Sequence, residues 1–248
     1  MTLKKIHTTE SSTPKHFMLN NLLNIPKDGK IQLDKDKEAV YSYFIEDINK
    51  NTRHFGTLKE KIDFLVDEGY IRKDLIELYD FDFIKSLFKY LYDTKFRFNT
   101  FMGAYKFYTQ YAMKDTNGSV LLERYEDRVA FNALESANGN EKLAMDLAEE
   151  LITRRFQPAT PSFLNSGKVR AGEKVSCFLI NVEDSMTSIG RSINSALQLS
   201  RIGGGCGINL TDIRPMGDPI KGVDGLTSGV VPVMKLYEDS FSYSNQMG

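Results

Sequence analysis

The chain has 248 residues, of which 41% are hydrophobic and 26% charged, and its formal net charge is −1. This composition is typical of a globular protein with one large or two smaller domains, and the near-zero charge excludes a global attraction to nucleic acid or to membranes. No run approaches the roughly 20 apolar residues of a membrane-spanning helix, and the chain opens without the apolar core of a signal peptide, so we expect a cytoplasmic protein.

The patterns in residues 1–155 predict helices only, after a polar stretch of about 35 residues that predicts a loose tail and short elements. Apolar residues recur at helical spacing in segments 36–51, 57–69, 82–92 and 122–152. Thr57 and Glu60 have the spacing of a capping box. The stretch Asn138–Glu141 is expected to end one helix and to start the next, whose apolar face begins at Leu143.

An aromatic segment, residues 96–113, carries seven aromatic side chains interleaved with Arg97 and Lys106. Such a mixture can form a surface on which nucleic-acid bases stack. However, Phe101, Tyr105 and Tyr108 recur every three to four residues, which is the spacing of a buried helical stripe. We therefore favour a role in the hydrophobic core.

The pattern changes after Gln157, and 11 of the 18 glycines follow residue 170. An apolar run at 175–180 predicts a buried strand, a helical segment follows from Asp184 to Ser200, and a second short apolar run comes after a glycine cluster. Short elements joined by glycine turns favour βαβ units with a parallel or mixed sheet. A last helix is predicted over 230–247, with an inward face formed by Val233, Met234, Tyr237 and Phe241.

Both cysteines lie in this second part, at Cys177 and Cys206, whereas the three histidines lie upstream, at His7, His16 and His54. Two cysteines 29 positions apart form neither a disulfide framework nor a zinc site. Cys177 can be an inert core residue or a redox thiol.

The cluster Gly203–Gly207 can be a tight turn with positive φ, or a place where a ligand approaches the backbone closely. It is not a phosphate-binding P-loop, because no Lys-Ser/Thr pair follows it. Asp184 is most simply the N-cap of the helix that follows. Arg214 and Lys221 are either solvated charges or a pair of cations that holds a phosphate. Ser176 either fills space beside Cys177 or presents its hydroxyl to a ligand.

The order of four stretches is more specific than any one of them: PATPSFLNSG, VSCFLINVEDS, QLSRIGGGCGINLTDIRPMGDPIKG and SGVVPVMKLYEDSFSYSNQMG. Together they resemble the large, catalytic subunit of class I ribonucleotide reductase, and most closely its class Ib branch. FMGAYKFYTQYA and LLERYEDR also resemble that branch. A glycyl-radical reductase is disfavoured, because the helical lead-in resembles the class I subunit more closely.

The resemblance implies an all-helical N-terminal part followed by the first βα units of a ten-stranded α/β barrel, with the rest of the family's barrel lying beyond residue 248. It implies a helical region at 1–88, a helical reductase domain at 89–162 and the start of the barrel at 163–248. The implied reaction is the reduction of ribonucleoside diphosphates to 2'-deoxyribonucleoside diphosphates by thiyl-radical and dithiol chemistry. This chain alone is expected not to turn over.

The resemblance also implies roles for individual residues. Cys177 matches the first thiol of the redox pair. Positions matching substrate contacts are Thr160, Ser176, Cys177 and Gly205. Positions matching the allosteric effector site are Asp184, Arg214 and Lys221. At Cys206 the family usually has a small aliphatic residue, so we expect this thiol to serve packing, although a disulfide with Cys177 is conceivable.

The partners implied are a radical-generating small (beta) subunit with a di-metal tyrosyl-radical centre, a thioredoxin- or glutaredoxin-like reductant, and a second alpha subunit. ATP or a deoxynucleoside triphosphate would be the effector, and this chain itself would bind no metal. The alternative is a non-catalytic nucleotide-binding or assembly module, produced from a truncated or split gene.

Overall fold

The computed structural model describes residues 13–202, 204–222 and 224–243. His7, Gly203, the first 12 residues of the predicted tail and the end of the last predicted helix, 244–247, lie outside the described residues. The contacts divide the chain into two compact units. The first comprises residues up to Leu65 together with Ile76–Arg155, and the second comprises Val66–Leu75 together with the residues from Phe156 onward.

Helices account for the regular structure described before residue 156, and no β-strand forms in that part, as predicted. Their bounds are α1 (Lys15–Leu23), α2 (Leu33–Tyr43), α3 (Leu58–Asp67), α4 (Lys73–Glu77), α5 (Phe81–Asp93), α6 (Phe101–Lys106), α7 (Tyr125–Ala137) and α8 (Glu141–Ile152). α2 and α6 each continue into a π-helical segment, Phe44–Ile48 and Phe107–Tyr111. The helix predicted from residue 122 begins only at Tyr125.

Capping explains where several of these helices begin and end. The capping box is confirmed, since Glu60 N donates to Thr57 Oγ1 (3.1 Å) and Thr57 N donates to the Glu60 carboxylate (3.2 Å). Asn138 adopts a left-handed conformation (φ 44°) at the end of α7. The Asn140 side chain then accepts a hydrogen bond from Leu143 N (3.0 Å) and starts α8.

The aromatic segment belongs to the core of the helical unit, so the packing interpretation is confirmed. Phe101 is fully buried, Tyr108 is 3% exposed, and the two rings share contacts with Tyr43. One prediction in this unit is wrong: Leu143 is exposed, because it lies at the edge of the apolar stripe of α8, whose centre is formed by Ala144, Ala148 and Leu151.

The second unit contains the predicted βαβ arrangement. Its elements are α9 (Thr160–Asn165), β1 (Cys177–Asn181), α10 (Met186–Arg201), β2 (Gly205–Asn209) and α11 (Val230–Tyr243). β1 and β2 pair in parallel, with Cys177 opposite Gly205 and Asn181 opposite Asn209. A parallel pair requires a crossover, which α10 supplies.

The core of this unit lies on one side of the two strands. Val182, Ile189 and Tyr237 are buried, and partly buried side chains pack on them: Ile180, Ile193, Ile208, Leu210, Ile213, Val233 and Phe241. Met234, predicted to face inward, is instead 55% exposed. The prediction of a buried strand is also wrong, because Leu179 is 90% exposed and only the opposite face of β1 packs on the cluster.

No helix in the described ranges combines the length and apolarity needed to cross a bilayer. Within those same ranges, no group of three or more histidine, cysteine, aspartate or glutamate side chains is arranged to hold a metal ion.

Candidate functional site

Cys177, Ser176 and Gly205 lie together at the start of the two strands. The Ser176 hydroxyl is 3.3 Å from the Cys177 sulfur, and Gly205 N donates to the Ser176 carbonyl oxygen (2.7 Å). Cys177 is an exposed, free thiol rather than the buried residue that the apolar run predicted. The structure thus brings three predicted site residues into one place, with the sulfur accessible.

The face of the strands that carries Cys177 is open. Side chains alternate along a strand, so Leu179 and Asn181 share this face with the thiol, and on β2 the positions opposite Cys177 and Leu179 are Gly205 and Gly207. Because Gly205 has no side chain, β2 presents only backbone directly opposite the thiol. A ligand can therefore approach the backbone closely at this point.

Position 204 must be glycine for a different reason. A Cβ atom there would lie 2.4 Å from the Phe178 ring and 3.0 Å from the Leu199 carbonyl oxygen. Gly204 is therefore required by the packing of β1 and α10, rather than by a phosphate. Gly205 and Gly207 belong to a strand, so a turn with positive φ does not explain them either.

Thr160, the first residue of α9, is exposed. Two hydrogen bonds tie α9 to the segment that leads into β1: Ser162 Oγ donates to Lys174 O (3.2 Å), and Asn165 Nδ2 donates to Glu173 O (3.0 Å). These bonds hold the helix that carries Thr160 beside the chain approaching Ser176.

Asp184 and Arg214 form an ion pair in which the guanidinium Nε donates to the carboxylate. Arg214 Nη1 also donates to the carbonyl oxygen of Pro219 (2.8 Å). The two side chains are 30% and 31% exposed, so solvent reaches the pair. These contacts use two of the five N–H donors of the guanidinium, which leaves donors for an anionic ligand.

The prediction that Asp184 caps α10 is wrong. Ser185 is the N-cap: its hydroxyl accepts from Ser188 N (3.1 Å), and the Ser188 hydroxyl accepts from Glu183 N (3.0 Å). These two hydrogen bonds pair the Ser188 and Glu183 backbone N–H groups at the start of the helix without Asp184. The carboxylate is therefore available to Arg214.

Lys221 is exposed in the loop between β2 and α11. In the described part of the chain it makes no hydrogen bond or ion pair with Asp184 or Arg214. The loop is closed on itself, since Thr227 N donates to Asp218 O (2.9 Å) and Gly217 N donates to Thr227 O (3.0 Å). The structure thus joins two of the three predicted effector residues and leaves the third in the same loop as Arg214.

Cys206 lies on the opposite face of the sheet from Cys177. Its register partner is Phe178, and its sulfur lies 3.8 Å from the Ala196 carbonyl oxygen of α10. Partial burial raises the pKa of the Cys206 thiol above its usual value. Adjacent strand positions on opposite faces do not allow a disulfide with Cys177, and both cysteines are free.

Sequence reasoning missed one pair, Asn181 and Asn209, at the carboxyl ends of the strands. Asn209 Nδ2 donates to Asn181 Oδ1 (3.1 Å). An Asn-x-Thr pattern directly after an apolar run, which is typical of an Asx-turn, could have marked Asn209.

Three family descriptions match consecutive parts of the chain: "Ribonucleotide reductase N-terminal" over residues 16–96, "Ribonucleotide reductase, all-alpha domain" over 97–171, and "Ribonucleotide reductase, barrel domain" over 175–248. The chain is 49% identical over 240 residues to the ribonucleoside-diphosphate reductase subunit alpha of Bacillus subtilis (strain 168). The matched region covers 97% of this chain and 34% of that protein.

Two further relatives give the same result. The ribonucleoside-diphosphate reductase nrdEB subunit alpha of Bacillus phage SPbeta is 48% identical, over 96% of this chain and 22% of the relative. The ribonucleoside-diphosphate reductase subunit alpha of Mycoplasma pneumoniae is 45% identical, over 97% of this chain and 33% of the relative. The chain thus spans about a third, or less, of the length of these relatives.

Proposed function

The chain belongs to the ribonucleotide reductase family as part of a large (alpha) subunit, and we propose that it contributes one side of an active site that reduces ribonucleoside diphosphates. The product would be a 2'-deoxyribonucleoside diphosphate for DNA synthesis. We infer the class Ib branch from the motifs quoted above, and the 48% identity to an NrdEB subunit supports that assignment. The domain bounds at residues 88 and 162, and a barrel of ten strands, belong to the same proposal.

The observation that carries the proposal is the accessible thiol of Cys177 beside the bare backbone of Gly205. In the proposed reaction the C2'–O bond breaks, a C2'–H bond forms, and the oxygen leaves as water. Two thiols supply the two electrons and two protons and become a disulfide. Cys177 is one of these thiols, and membership of the family implies that a second cysteine supplies the other. Cys206 is unsuited to that role, because it lies on the opposite face of the sheet.

Ser176, Gly205 and Thr160 are the groups proposed to bind the substrate together with Cys177. The Ser176 hydroxyl and the β2 backbone lie beside the thiol, so they can contact a substrate whose C2' atom is near the sulfur. Thr160 stands at the start of α9, which is fastened to the chain before Ser176. A hydroxyl at that position can donate to a phosphate oxygen.

Asp184, Arg214 and Lys221 are proposed to bind the allosteric effector, a deoxynucleoside triphosphate or ATP. Arg214 retains N–H donors for a phosphate or a base, and Asp184 fixes its guanidinium in place. Lys221 lies in the same loop and adds a second cation.

The proposed partners are a small subunit that supplies the radical from its di-metal tyrosyl centre, a thioredoxin- or glutaredoxin-like reductant, and a second alpha subunit. Apolar side chains exposed on α11 support a subunit contact there, notably Val231 (70% exposed), Met234 (55%) and Tyr243 (90%). We also place Met186, at the start of α10 and 81% exposed, in that contact.

A hybrid subunit tests the function directly. In this hybrid subunit the chain replaces the matching third of the Bacillus subtilis subunit alpha, and the product formed from cytidine diphosphate is measured with the small subunit and a dithiol reductant. We expect deoxycytidine diphosphate that depends on both additions. A folded hybrid subunit that binds nucleotide and forms no product, beside an active Bacillus subtilis control, would favour the non-catalytic alternative.

A further inference from the structure

Asn209, the last residue of β2, is hydrogen-bonded to both segments that leave the sheet at this end, one after β1 and one after β2. Its Nδ2 donates to Asn181 Oδ1 (3.1 Å) at the end of β1. Its Oδ1 accepts from the backbone N (3.1 Å) and the hydroxyl (2.6 Å) of Thr211. Its carbonyl oxygen accepts from Val182 N (3.1 Å). One residue thus joins the end of β1 to the turn that follows β2.

These two segments carry the two residues of the Asp184–Arg214 ion pair. Asn181 stands three residues before Asp184, and Thr211 stands three residues before Arg214. The backbone between Asn209 and Thr211 is an Asx-turn, which sets the direction of the chain toward Arg214. The Asn209 side chain thus links the segment that leads to Asp184 with the segment that leads to Arg214.

Burial does not explain this cluster of hydrogen bonds. Asn181, Asn209 and Thr211 are all exposed, and water could satisfy their polar groups without them. The apolar side chains of Val182, Leu210 and Ile213 already attach both segments to the core. What the Asn209 side chain adds is a fixed spacing between two segments that the core holds independently.

We propose that Asn209 is a positioning residue of the effector site, which holds Arg214 in register with Asp184 through Thr211 and Asn181. The inference rests on the proposed effector role of that ion pair. Asn181 also shares a strand face with Cys177, so the link lies at the border between the effector residues and the thiol face.

The test uses the full chain within the hybrid subunit, with deoxythymidine triphosphate as the effector probe and cytidine diphosphate as the substrate probe. We expect Asn209→Ala to weaken binding of the triphosphate about fivefold to tenfold, the effect of losing a hydrogen bond that holds a binding group. Binding of the diphosphate and the melting temperature should not change. Asn140→Ala is the control, because it also removes the hydrogen bond of an exposed asparagine side chain, to Leu143 N, away from the residues proposed to bind ligands, and it should leave triphosphate binding unchanged.

A double-mutant cycle separates positioning from a general structural role. In the Arg214→Ala background, Asn209→Ala should cause no further loss of triphosphate affinity, because the residue it positions is gone. If Asn209→Ala does not fold, Asn209→Ser replaces it in both backgrounds, with a smaller loss expected because the serine hydroxyl can still accept from Thr211 N.

Two results would overturn the inference. Unchanged triphosphate affinity in Asn209→Ala, or a full additive loss in the Arg214→Ala background, would remove the positioning role and leave the proposed function intact. A hybrid subunit that does not bind the triphosphate at all would remove both the inference and the effector assignment on which it rests.

Discussion

Cys177 lies directly opposite Gly205 in the parallel strand pair, and Gly205 N donates to the carbonyl oxygen of Ser176, the residue before the thiol. The neighbour of the thiol on β2 therefore contributes backbone and no side chain. Gly205 therefore lies in a strand beside the thiol and not in a turn.

Adding a methyl group beside the thiol should impair substrate binding without unfolding the protein. We expect Gly205→Ala to raise the KM for substrate on the order of tenfold. The reason is that the added methyl group would overpack the complex, at a cost of about 1–3 kcal/mol. Stability should be equal or higher, since alanine replaces glycine within a strand. Gly207→Ala, two residues along the same face, is the control, because its Cβ would lie 3.0 Å from the flexible end of Leu179 and at an ordinary contact distance, 3.9 Å, from the Phe178 carbonyl oxygen. Equal KM values for the two variants would contradict the assignment of Gly205.

The Asp184–Arg214 pair should serve the effector and not the substrate. Asp184→Ala and Arg214→Ala should each weaken effector binding on the order of tenfold, because a charge-assisted hydrogen bond is worth about 1.5–3 kcal/mol at best and this pair is partly solvated. Calorimetric titration with effector and with substrate separates the two effects. Equal loss of both affinities would count against this role.

Gly204 should be required for stability. Gly204→Ala places a Cβ atom against Phe178 and Leu199, so we expect a loss of about 1–3 kcal/mol in the free energy of unfolding. Gly190→Ala is the matched control, since that exposed glycine lies inside α10 and, apart from the adjacent backbone of the helix itself, no atom lies within 4 Å of the added group. There alanine should stabilise the protein by up to about 1 kcal/mol. Denaturant unfolding of both variants measures the difference, and a destabilised Gly190→Ala beside an unchanged Gly204→Ala would be inconsistent with the packing described.

The two thiols should differ in reactivity. Cys177 is exposed, whereas partial burial raises the pKa of Cys206, so at any given pH a smaller fraction of Cys206 is thiolate than for an ordinary cysteine. Iodoacetamide should therefore label Cys177 first, and labelling of Cys206 should accelerate only at a higher pH. Mass spectrometry of the labelled peptides over a pH series gives both rates. Faster labelling of Cys206 at neutral pH would be incompatible with its position on the packed face.

Much of this architecture could be predicted from local patterns. Helical spacing found the buried residues Ile84, Leu87 and Leu91, and the Thr57–Glu60 spacing found a capping box that forms as expected. These features depend on a few neighbouring residues, so a single sequence contains the information. The order of the apolar runs predicted βαβ units with a parallel or mixed sheet, and the strand pair is parallel.

The remaining details depend on contacts between distant residues. An apolar run does not reveal how many faces of a strand are covered, so Cys177 was predicted to be buried although it is exposed. Asp184 and Ser185 both have side chains that cap helices; Ser185 does so, whereas Asp184 pairs with Arg214, 30 residues away, which no local pattern reveals. The alternation of faces between Cys177 and Cys206 likewise appears only once the register is known.

Turnover of the hybrid subunit decides whether Cys177 is a redox thiol. In the hybrid subunit, deoxycytidine diphosphate formed per subunit is followed with a thioredoxin-type reductant for Cys177→Ser and for the control Cys206→Ser. We expect Cys177→Ser to bind substrate but to lose multiple turnover, whereas Cys206→Ser retains it. Sustained multiple turnover by Cys177→Ser would show that Cys177 is not the redox thiol.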